Sequence, residues 1–132
     1  MTRHHGPIPA ETLKVSAVAG YGACVLDGDV ARAIRDMVAA REWAQFHTPA
    51  NLAKSIAIEA GELLECFQWD DTGVSGRVAE ELADVLTYCQ LLADRLDLDV
   101  NGIVLEKLAR TEAKYPVNTA SGRSTKYDQL PD

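Results

Sequence analysis

The sequence predicts an all-α fold, a four-helix bundle, on three observations. Apolar residues recur at spacings of three and four through most of the chain beyond residue 28, proline and glycine fall mainly between those periodic stretches, and the longest stretch, 77–96, contains neither inside it. The 132 residues suit one domain, and a four-helix unit of this size commonly completes its core by association, so a homo-oligomer is expected.

Each element follows from its own signals. A first helix is expected over 29–45: Asp29 can cap it after Gly28, and Val30, Ile34, Met37, Val38 and Arg41 follow at helical spacing. Pro49 is placed to end it and Asn51 to cap the next. In the second helix Leu52, Ile56, Leu63 and Phe67 share one face, and the stop is expected near Trp69, before the turn-rich run 70–76. The third helix, 77–96, carries Val78, Leu82, Val85, Cys89, Leu92 and Leu96 as its apolar stripe. A fourth, 99–115, carries Ile103, Leu105 and Leu108; Gly102 weakens only its first turn and Pro116 stops it. Beyond Pro116 the chain is polar and reads as a tail. Residues 1–28, with short apolar runs broken by Gly20, Gly22 and Gly28, read as an N-terminal extension, irregular or in short strands, ahead of a domain at 29–132 that includes the tail.

Composition narrows the function classes. No apolar run approaches the roughly 20 residues that span a bilayer, and the basic start lacks the apolar core of a secretory signal, so a cytoplasmic protein is expected. Cys24, Cys66 and Cys89 are widely spaced and form no Cys-x-x-Cys pair, which argues against a disulfide framework or a structural zinc site. A formal net charge of −7 would repel a nucleic acid polymer.

The informative residues are acids beside the apolar stripes. Glu59 interrupts the row Leu52, Ile56, Leu63, and Glu62 lies on the adjoining row; on the third helix Glu81, Asp84 and Tyr88 border the stripe of Leu82, Val85 and Cys89. One such pair is ordinarily solvated helix surface, but here two occur on consecutive helices. If the short loop makes those helices antiparallel neighbours, the four carboxylates converge, and one or two hard divalent cations turn a repulsive cluster into a stable site. Magnesium is the natural occupant; because it keeps waters and binds phosphates, it invites phosphoryl-type chemistry on a triphosphate. A di-iron centre is excluded because His4, His5 and His47 supply no Glu-x-x-His pair.

The pattern Glu-x-x-Glu at 59–62 followed by Glu-x-x-Asp at 81–84 resembles the signature of the MazG-like all-α pyrophosphohydrolase superfamily. With Arg41-Glu-Trp-Ala-Gln-Phe-His-Thr-Pro-Ala-Asn-Leu52, Phe67-Gln-Trp69 and Lys114-Tyr-Pro116, the chain is similar to the dCTP pyrophosphatase branch from about residue 32 to 130. The resemblance implies that Glu59, Glu62, Glu81 and Asp84 bind magnesium, with manganese as a substitute. It also implies hydrolysis of a deoxynucleoside triphosphate to the monophosphate and pyrophosphate, dCTP and its 5-modified analogues first.

By the same resemblance Trp43, Trp69 and Tyr88 border base and sugar, His47 stands beside the entrance, and Lys107, Lys114 and Lys126 are candidates for phosphate contacts. Thr111 stands where related sequences often carry Asn, which puts recognition at that position in question. Glu62 or Glu65 is the candidate to orient or deprotonate the attacking water. Broader (d)NTP or dUTP hydrolysis and a catalytically silent nucleotide-binding module are the alternatives. A dimer or a dimer of dimers is expected, the tetramer on resemblance alone.

Overall fold

The computed structural model describes residues 25–74 and 76–131, and every regular element among them is helical. The expectations for the N-terminal extension up to residue 24, including Cys24, lie outside the described residues.

The first helix, α1, spans Gly28–Ala40, shorter than expected at its far end. Asp27, not Asp29, caps it, its carboxylate accepting the Asp29 N–H at 3.0 Å. Glu42 then adopts a left-handed backbone (φ 54°), which breaks the helical ladder, and residues Trp43–Phe46 form a 3₁₀ turn. The turn is stitched by side chains: Gln45 Nε2 donates to the Glu42 carbonyl at 2.9 Å and Asn51 Nδ2 to the Phe46 carbonyl at 3.0 Å. No glycine or proline marks this break, so periodicity alone ran the helix through it.

The second helix, α2, spans Pro49–Glu65. Pro49 opens it instead of closing α1, since the first helical position needs no N–H. Thr48, not Asn51, is the cap, its hydroxyl accepting the Asn51 N–H at 3.2 Å. The helix ends ahead of Trp69 because Cys66, Phe67 and Gln68 each bond back three residues rather than four. The Val74 N–H then donates to the Cys66 carbonyl at 3.1 Å and closes the loop. Gly73 is required there: its φ is 77°, and a Cβ would lie 2.7 Å from the Phe67 ring.

The remaining helices, α3 at Arg77–Arg95 and α4 at Val100–Lys114, agree with expectation to within a residue at each end. Asp99 caps α4, accepting the Gly102 N–H at 3.1 Å. The tail is more structured than its composition suggested. A short helix, α5, covers Val117–Ala120, a 3₁₀ turn covers Tyr127–Gln129, and Tyr127 meets Tyr115 edge to face at 6.2 Å.

The most extensive packing joins α2 and α3 as an antiparallel hairpin, with α1 laid against α3. Leu52, 1% exposed, meets Val38 and Leu91 at the core, and Ile34, Met37, Tyr88 and Leu92 close around them. Burying a leucine this fully contributes about 2 kcal/mol. The buried Gln90 of α3 accepts the Leu26 N–H at 3.1 Å and donates to Asp94 at 2.9 Å. Asp94 in turn takes the fork of Arg35 at 2.8 and 2.7 Å, pinning α1 to α3. By contrast α4 has only sparse contacts with the other helices and buries none of its residues. No described helix is long and apolar enough to cross a membrane.

Candidate functional site

The hairpin brings Glu59 and Glu62 of α2 against Glu81 of α3. One carboxylate oxygen from each lies within 4.8 Å of the other two. The helix spacing explains this: Glu59 and Glu62 are three residues apart on one face, and the antiparallel register that sets Leu52 against Leu91 carries 59–62 opposite 81–84. Asp84 is outside that set of three, but its charge acts on Glu59.

The electrostatics are those of a crowded anionic cluster. The Glu59 carboxyl is held above the ordinary carboxylate range, first by the hydrogen bond it shares with Glu62, then by burial, then by the charges of Glu62, Asp84 and Glu81. The Glu81 side chain is only 12% exposed, and among the described residues one cation reaches it: Arg77 Nη2 donates to Glu81 Oε1 at 3.1 Å. Three oxygens this close, on a rigid hairpin and short of positive charge, are a donor set suited to a hard divalent cation.

The other candidate residues fall into groups. Tyr88, one turn beyond Asp84, packs on the core. Glu65 borders a surface cleft with Gly61, Leu64 and Gln68, and its charge acts on Arg77. Trp69, just beyond α2, is 90% exposed. Trp43 is also exposed, with the Arg41 guanidinium 5.6 Å from its ring centroid. His47 lines a largely apolar cavity of about 270 Å³ with Val38, Ala39, Leu52, Leu91 and the Arg35/Asp94 pair among its walls.

On α4, Lys107 is exposed. The Thr111 hydroxyl donates to the Lys107 carbonyl at 3.0 Å, so it serves the helix backbone. Lys114 and Lys126 converge on Tyr127, their ammonium groups 4.8 and 6.0 Å from its ring centroid. Cys66 is buried and its thiol donates to the Glu62 carbonyl; burial pushes the half-buried Cys89 thiol up. Sequence reasoning missed Arg77 and the Arg35–Asp94–Gln90 network. A base four residues before Glu81 was a readable signal for the first, while the second joins residues 59 positions apart in sequence and leaves no local trace.

The all-helical hairpin carrying acids on facing helices defines a class of carboxylate-bearing α-bundles, and comparison with known proteins specifies which one. The model of the MazG-like family matches residues 54–130. Human dCTP pyrophosphatase 1 is 38% identical over 113 residues, covering 78% of this chain and 66% of that protein, and the rat protein of the same name is 37% identical with the same coverage. The chain thus spans just under two thirds of the length of these curated relatives. A crystal structure of a pyrophosphatase from Archaeoglobus fulgidus superposes with a TM-score of 0.63 at 39% identity, covering 67% of this chain and 90% of that one. The chain belongs to the MazG-like family.

Proposed function

We propose that the protein is a magnesium-dependent nucleoside triphosphate pyrophosphohydrolase, acting on dCTP or a 5-modified dCTP in nucleotide-pool control or sanitation in the cytoplasm. The observation that carries this reading is the convergence of Glu59, Glu62 and Glu81 within 4.8 Å on one helical hairpin. The names of the relatives, dCTP pyrophosphatase 1, supply the substrate class.

Glu59, Glu62 and Glu81, with Asp84 beside them, hold the metal in this proposal. A magnesium ion bound there, or manganese in its place, would supply positive charge to offset that of the triphosphate. The protein's own groups do the rest. Glu62 or Glu65 orients a water and takes its proton as the water oxygen bonds to the α-phosphorus; the bond from that phosphorus to the α–β bridging oxygen breaks, and pyrophosphate leaves with the electron pair. Along α2, Leu52 and Glu59 are separated by about 10 Å at 1.5 Å per residue. The His47 cavity near Leu52 and the carboxylates therefore suit the two ends of one nucleotide, with Trp43, Trp69 and Tyr88 available to base and sugar. Lys107, Lys114 and Lys126 are assigned to phosphate. The apolar row of α4, without cover among the described residues, supports a homo-oligomer, a dimer or dimer of dimers.

The test is pyrophosphate release from a panel of dNTPs, NTPs and 5-modified dCTPs, with magnesium and with chelator, identifying the nucleotide product. Magnesium-dependent dNMP and pyrophosphate, fastest from the dCTP group, supports the proposal. Equal rates across the panel replace it with a broad (d)NTP hydrolase, a maximum on dUTP replaces it with a dUTP-directed one, and no release from folded protein leaves a nucleotide-binding module.

A further inference from the structure

Arg77 stands where local helix energetics disfavour it. It is the first residue of α3, and a cation at a helix N-terminus opposes the helix dipole. Its side chain nevertheless folds onto the acidic cluster, one turn along, with Nη2 3.1 Å from Glu81 Oε1. Glu81 is one of the three carboxylates that converge, so among the described residues Arg77 is the countercharge paired with the cluster. The pairing is incomplete on the arginine side. A guanidinium has five N–H donors, and the bond to Glu81 is the one hydrogen bond of this guanidinium among the described residues; the side chain is 48% exposed.

A divalent ion reaching Glu81 competes directly with this arrangement. It carries twice the charge, and it repels the guanidinium it displaces. The displaced fork then lies at the rim of the site, where a polyphosphate brings the anionic oxygens that a guanidinium matches best.

We propose that Arg77 is a positioning residue that exchanges partners: it holds the Glu81 carboxylate in the metal-free protein, yields it to the divalent metal, and then donates its fork to phosphate oxygens of the bound triphosphate or pyrophosphate. This rests on the metal-site reading given above and adds to it a residue outside the four acids.

The two halves of the exchange have opposite signatures. Calorimetric titration of the full chain with manganese alone should show Arg77→Gln binding the metal about 2- to 5-fold more tightly than the parent, because a competitor for Glu81 is gone. Titration with inorganic pyrophosphate at saturating magnesium should show the same variant binding about 10-fold more weakly, because a phosphate partner is gone. Arg77→Lys, which keeps the charge without the fork, should return manganese affinity towards the parent while recovering only part of the pyrophosphate affinity. A role limited to bracing α3 moves neither constant or weakens both, and either result overturns the proposal, as does tighter metal binding with unchanged pyrophosphate binding. A parent chain that binds no manganese removes the metal site itself; a parent that binds it, with Arg77→Gln indistinguishable, removes the partner exchange alone.

Discussion

At the scale of single residues, the acids are distinguished by their neighbours rather than by their own chemistry. Glu62 is one of the three converging acids and helps hold the Glu59 carboxyl up, and in the proposed mechanism it is, with Glu65, the candidate to orient the water. Glu62→Gln should keep the helical content seen by circular dichroism while lowering pyrophosphate release by at least about 10²-fold, within the range for loss of a proton-transferring group. A rate within a factor of two of the parent takes Glu62 out of the mechanism. Glu59 makes a different point, because its raised pKa records the cost of crowding. Glu59→Gln in chelator should raise the Tm by about 2 °C, whereas with magnesium the parent should regain the advantage, as scanning calorimetry in the two buffers will show.

These acids were legible in the sequence because a charge in an apolar row at helical spacing is a local contradiction. Arg77 was legible only in part, since a base four residues from an acid is common on any helix surface. Its place beside the cluster appears once Glu81 is seen to face Glu59 and Glu62.

At the scale of elements, the helices were readable and their ends less so. The interiors of α3 and α4 came from apolar period alone, and Asp99 and Pro116 punctuate α4. The ends that differed did so through side-chain bonds to backbone: Thr48 took the cap expected of Asn51, and the left-handed Glu42 carries no sequence mark. The turn after α2 can be tested at two positions. Asp70 accepts from the Thr72 N–H at 2.8 Å and the Thr72 hydroxyl at 2.6 Å, and these bonds hold its carboxyl below the usual range.

A depressed folded pKa contributes stability above the unfolded value that is lost as pH falls through the folded one. Asp70→Ala should therefore be less stable than the parent at pH 7, with the gap in urea midpoint narrowing as pH falls below about 4. A gap independent of pH assigns the loss to packing instead. Gly73→Ala faces both a positive φ and the Phe67 ring, and should cost about 1–3 kcal/mol in urea unfolding.

At the scale of the whole molecule, the hairpin is well packed and α4 is not. Ile103, Val104 and Leu108 are 45, 57 and 49% exposed, an apolar face with no cover among the described residues. Ile103→Asp with Leu108→Asp should convert the chain to a monomer in light scattering while leaving the α2–α3 hairpin helical; an unchanged mass places the association surface elsewhere. Periodicity gave this stripe its existence but not its partner, because a helix facing its own domain and a helix facing a second copy carry the same pattern.

The hairpin itself has a consequence for how the molecule forms. All three converging acids come from α2 and α3, which follow one another in the chain, so the cluster closes within a single hairpin, and loop-closure entropy grows only slowly with the length of the connection. Chains rich in contacts of short sequence separation fold faster than those dominated by distant pairings. Neither α1 nor α4 supplies an acid to the cluster, so a substitution that loosens either of those helices should disturb the three carboxylates less than one within the hairpin.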